Sequence, residues 1–182
     1  MHTVTQTAST HVNRLPGNTP KAAFAARLPV VLAPDAWHRK AGAERPADLH
    51  LRQAAGSLDR DLALAGAAHT ALAPVSPGTT ELALVEDALL ALEQAREALS
   101  DGSAMLRDPR DPLAAQRHVE MGLQHHDRAN YALGTVLDLF ASRKGRTPGE
   151  EQARTFLLLQ ATTSAATSGH ISRAVEALAT ER

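Results

Sequence analysis

The sequence predicts an all-α chain: an up-down antiparallel four-helix bundle with a partly ordered N-terminal arm containing one or two short helices. Three observations predict it. Apolar residues recur at spacings of three and four along long stretches of the chain. Ala and Leu dominate the composition while aromatics make up only 3%. Sheets favour aromatic and β-branched residues, so this composition points to helices packed through small side chains. The third is a tight reversal in the back half. Arg143-Lys144-Gly145 closes one helix, and Thr147-Pro148-Gly149-Glu150 opens the next. Basic residues suit the negative end of a helix dipole, and Gly145 can take the left-handed conformation that ends a helix. Thr147 and Glu150 have capping-box spacing, with Pro148 at the first helical position.

A chain of 182 residues fits one domain with a real core. We divide it into an arm over residues 1–45, partly disordered, and a bundle over residues 46–182. In the arm, Thr19-Pro20 and Pro34 to Ala41 can start short helices, and the apolar run Leu28 to Leu32 with Trp37 is suited to docking on the bundle. The first long helix is expected over about 46–73, with a stripe of Leu51, Ala55, Leu58, Leu62, Ala65, His69 and Leu72. The second is expected over about 77–100, with Leu82, Val85, Leu89, Leu92 and Leu99 inside and Gly102 just past its end. Leu84, Ala88, Ala91 and Ala95 form a further apolar row on it, read as an exposed interface.

Asp111 is suited to cap the third helix, about 112–144, whose core face carries Val119, Leu123, His126, Ala129, Leu133, Val136, Leu137 and Phe140. The fourth, about 148–181, is apolar at both ends, through Phe156, Leu157 and Leu159, then Ile171, Val175 and Leu178. Its middle is rich in Thr and Ser and contains Gly169, which predicts a kink or break near Ser168. Short links make helices one and two antiparallel, and likewise three and four.

Composition narrows the function classes. A net charge of −1 leaves no global field to draw nucleic acid or acidic lipid. Residues 1–50 carry six Lys and Arg against three acids, too sparse for a nucleic-acid surface without stacking aromatics. Cysteine is absent, which removes disulfides, thiolate metal sites and a Cys nucleophile. No run is apolar enough to span a bilayer, and the N-terminus lacks a signal-peptide pattern, so a cytoplasmic protein without a membrane role is expected.

Nine histidines are the remaining chemical signal. If both helix reversals lie at one pole, His50, His126 and His170 fall within roughly 8 Å of one another along the axis, at 1.5 Å per residue. With Glu93 or Glu97 they could hold a divalent metal, zinc or iron, because imidazole and carboxylate suit both. Asn130, one turn beyond His126, could orient a ligand. The competing expectation is a polar layer in which His126 and Asn130 bond to Ser and Thr of the fourth helix, with no activity attached.

No histidine has Glu three residues before it, as carboxylate-bridged di-iron bundles require. The zinc-protease, nucleophile-elbow and phosphate-loop patterns are also absent. The leading expectation is therefore a non-enzymatic bundle that binds protein and associates with itself, with no cofactor. The alternative is a metal-dependent enzyme or small-molecule binder built on the histidine layer.

Overall fold

The structure, a computed structural model, describes residues 45–107 and 112–180. These form four helices and no strand: α1 (Pro46–Leu72), α2 (Thr80–Met105), α3 (Pro112–Ser142) and α4 (Pro148–Thr180). The arm over residues 1–44 and the Asp111 cap lie outside the described residues. Each helix packs on two neighbours, in the cyclic order α1, α2, α3, α4, as in a bundle. The α1–α4 and α2–α3 seams are the most extensive.

One pole is defined by the two reversals. Gly78 and Gly145 there have φ of 71° and 75°, a region glycine enters without steric cost. The capping box forms as its residue types dictate. The Glu150 N–H donates to Thr147 Oγ1 at 3.2 Å, and the Thr147 N–H donates to Glu150 Oε2 at 2.7 Å. Thr79 caps α2 by accepting from the Leu82 N–H at 3.4 Å.

Side chains then join the two reversals. Ser76 donates to Glu150 Oε1 at 3.3 Å, and Arg143 donates to the same oxygen at 2.9 Å. Arg143 also bridges to Glu81, which is buried at the start of α2. The ends of α1 and α3 therefore meet the beginnings of α2 and α4. At the opposite pole the Arg45 guanidinium donates to the Leu106 carbonyl at 2.8 Å, joining the start of α1 to the end of α2.

The Glu150 carboxyl is held below its usual range, chiefly by the Thr147 backbone N–H. The Thr147 hydroxyl, Arg143 and Ser76 act in the same direction, and burial opposes them. A carboxyl depressed in the folded state stabilises the fold above its unfolded value, and that stability is lost as pH falls through the folded value. Glu150→Gln is therefore expected to cost roughly 1 kcal/mol near neutral pH. Its deficit against wild type should narrow as pH falls below 4.5. Urea melts at several pH values measure this, and a pH-independent deficit would assign Glu150 a purely steric role.

Several sequence expectations are corrected by packing. The first stripe holds at Leu51, Leu58, Leu62, Ala65 and Leu72 and is widened by buried Ala54, Ser57, Asp61 and Ala68, whereas Ala55 is only partly covered. His69 is partly exposed and meets Glu86 at 3.3 Å instead of entering the core. Helix α2 does not stop at Ser100 but continues to Met105 through Gly102. A Cβ on Gly102 would lie 2.8 Å from Val119 Cγ2 and 3.2 Å from the Ala115 carbonyl oxygen. That glycine permits close approach of α2 and α3; it does not end the helix.

Ala88, Ala91 and Ala95, read as an exposed row, are buried in the core, and Leu84 is partly buried against it. The α2 face they form is thus consumed inside the bundle. Of the apolar residues near the start of α4, Leu157 is fully buried and Leu159 is 49% exposed. Helix α4 runs as one element through Ser168 and Gly169, so no break interrupts it there. Its weak helix formers are held because Thr163, Thr167 and Ser168 all find side-chain partners on other helices.

Candidate functional site

The polar layer lies where α1, α3 and α4 meet, and its centre is a residue the sequence reading passed over. Asp61, on α1, is fully buried and accepts three hydrogen bonds. Thr163 gives one to Oδ1, Thr167 gives one to Oδ2 at 2.7 Å, and His126 Nε2 gives one to Oδ2 at 3.3 Å. Thr163 and Thr167 are four apart on α4, so both hydroxyls project from one face onto the same carboxylate.

Donor and acceptor logic fixes the rest of the chain. On His126, Nδ1 faces the Asn130 amide nitrogen at 3.3 Å and the Ser168 hydroxyl at 3.1 Å. Asn130 Nδ2 can only donate, so Nδ1 accepts, which leaves the ring proton on Nε2 for Asp61. Asn130 Oδ1 in turn accepts from Gln160 Nε2 at 3.1 Å. The result is a directional relay from Gln160 through Asn130 and His126 to Asp61. Both ends of the Asp61–His126 contact are fully buried.

Such a layer has a clear physical reason. A buried acid without partners is expensive, and three donors replace the water it loses. His126 and Asn130 thus follow the satisfied-layer expectation in part. His126 does bond Ser168, but its other nitrogen meets Asp61, and Asn130 bonds Gln160 and not a Ser or Thr. Asp61 had a legible signal: it lies three residues after Leu58 and four before Ala65, on the apolar stripe.

The other expected ligands fall elsewhere. Both nitrogens of His126 are engaged by the layer. His50 on α1 and His170 on α4 are partly buried. His170 is pushed below the ordinary histidine value by burial first, then by Arg173, His50 and Arg60. Each of these two histidines has a buried Nδ1 with no hydrogen-bond partner. Glu93 and Glu97 are exposed on α2, which does not contact α4. Among the described residues, no group of three or more His, Asp or Glu side chains is arranged to hold a metal. No described helix is long and apolar enough to cross a membrane.

Comparison with protein-family profiles, with curated proteins and with solved structures finds no match to this chain.

Proposed function

We propose that this chain is a non-enzymatic helical bundle that acts by binding protein, and that its partner is a second copy of itself. The observation that supports the reading is Tyr131, which is 81% exposed on α3. A tyrosine left almost wholly in water forgoes the burial that aromatic side chains usually gain, and Tyr is enriched at protein interfaces. Leu158 and Leu159 on α4 are also exposed. All three lie within one turn of the Gln160–Asn130 hydrogen bond that joins α4 to α3. They therefore sit at one level of the same helix pair. A net charge of −1 puts little repulsion between two copies.

The interface expected from the α2 alanine row is replaced in this reading by the outer side of α3 and α4. Light scattering over a range of concentrations tests it. The expected mass rises toward twice the 19.3 kDa of one chain. Tyr131→Glu combined with Leu158→Glu should return it to one chain without loss of helicity, since both side chains are outside the core. A one-chain mass at every concentration would end the self-association reading.

A further inference from the structure

The polar layer reaches the surface at one of its members. Ser168, on α4, is partly exposed, whereas His126 and Asp61 behind it are fully buried. The Ser168 hydroxyl lies 3.1 Å from His126 Nδ1, and His126 Nε2 lies 3.3 Å from Asp61 Oδ2. A hydroxyl, an imidazole and a carboxyl group are thus joined in a row, with the hydroxyl at the solvent end.

The hydrogen bonds run in the direction that an activated serine needs. Nδ1 carries no proton, so it accepts from Ser168 and can take that proton. Nε2–H already points at Asp61, which can stabilise the imidazolium that results. Asp61 is itself held by Thr163 and Thr167, so the ring meets a fixed partner. Other hydroxyls of α4 behave differently. Thr155, Thr162, Ser164 and Thr180 donate to carbonyls three or four residues back in their own helix. Ser168 turns across to α3 instead. Beside it, a Cβ on Gly169 would meet no atom within 4 Å, so the helix surface next to the hydroxyl is open.

We propose that Ser168 is a modification site, a nucleophile that accepts an acyl group from an activated donor such as a thioester or aryl ester. Ser168 Oγ attacks the carbonyl carbon while its proton passes to His126 Nδ1. The bond from that carbon to the leaving group then breaks, and the leaving thiolate or alkoxide takes the proton from Nδ1. The products are acyl-Ser168 and a free thiol or alcohol. Asn130, whose amide nitrogen is 3.3 Å from Nδ1, keeps a second N–H for the carbonyl oxygen. The backbone N–H groups around Ser168 are spent inside the continuous α4. With one side-chain donor in place of an oxyanion hole, the acyl donor must carry a good leaving group, and the acyl-serine persists. The chain is then an acyl acceptor and not a hydrolase. Acylation takes place on a single chain, so it and self-association stand or fall separately.

Incubation of the full chain with p-nitrophenyl acetate, followed by peptide mass mapping, tests the site. One acetyl group is expected on Ser168, formed faster than on the exposed Ser142 and Thr162. Ser168→Ala, a change at the edge of the layer, should fold and lose that group. His126→Gln should slow acetylation of Ser168 by at least about a hundredfold, as loss of a general base implies. Asp61→Asn keeps an acceptor for Nε2–H but removes the charge behind the ring. It should lower the rate at Ser168 at least about tenfold relative to that at the exposed Lys144 in the same sample. A loosened fold would open Ser168 to reagent and raise this ratio, so its fall separates positioning from stability. If His126→Gln loses helicity, the ratio in Asp61→Asn stands in its place. No acetyl group on Ser168, acetylation there no faster than at Ser142, or a rate unchanged in the folded variants overturns the proposal.

Discussion

Asp61→Ala is expected to destabilise the fold by about 2–4 kcal/mol, because it leaves several buried donors without an acceptor and each such loss costs about 1–3 kcal/mol. The substitution strips His126 Nε2 and the hydroxyls of Thr163 and Thr167 of one shared acceptor. Each of them then stays buried, or partly so, without the bond that offset its loss of water. Asp61→Asn should cost much less, about 1–2 kcal/mol, because its amide oxygen can still accept from His126 and Thr167. Its amide nitrogen would face Thr163, whose hydroxyl can accept while donating to the Gln160 carbonyl 2.9 Å away. A double-mutant cycle between Asp61 and His126 should show coupling of about 0.5–3 kcal/mol. Urea denaturation of wild type and these variants measures all of this. Equal stability of Asp61→Ala and wild type would mean that water or a rearranged helix takes over the acceptor role.

Gly149→Ala is the second large effect expected. A Cβ at this position would lie 2.8 Å from the Ala71 carbonyl oxygen and 2.8 Å from Val75 Cγ2. The valine can adjust, but a backbone carbonyl near the end of α1 cannot swing aside without moving the helix. Overpacking of this kind costs about 1–3 kcal/mol, more than the gain in helix propensity from Gly to Ala. Gly134→Ala is the matched control. Nothing lies within 4 Å of its added Cβ, and it sits inside α3. It should stabilise the protein by about 0.5–1 kcal/mol. If the two substitutions have the same sign and size, α1 and α4 are not in close contact at this pole.

The parts of the fold that the sequence revealed are those governed by local chemistry. Thr147, Pro148, Gly145 and Glu150 specify their turn within a few residues of one another, and the structure shows the bonds that these residue types imply. The short links at Val75 and Arg146 likewise bring both reversals to one pole. What was hidden depends on partners remote in the chain. Gly102 looks like a helix stop until Val119 is seen against it. Ala88, Ala91 and Ala95 look like spare apolar surface until they are found in the core. Alanine is too small for periodicity alone to tell a close-packed face from an exposed one.

The candidate sites divide in the same way. His126 and Asn130 were legible as layer members because they fall on the core face of α3. Asp61 was not, since its acceptor role rests on hydroxyls more than a hundred residues away.

One end of this bundle is fastened by charge. At the pole of the reversals, Ser76, Glu81, Arg143 and Glu150 tie four helix termini into one ionic knot. At the far pole the Arg45 guanidinium bonds the Leu106 carbonyl, joining the start of α1 to the end of α2. Because Arg143 reaches two carboxylates at once, Arg143→Ala should let the helix termini of the first pole part together.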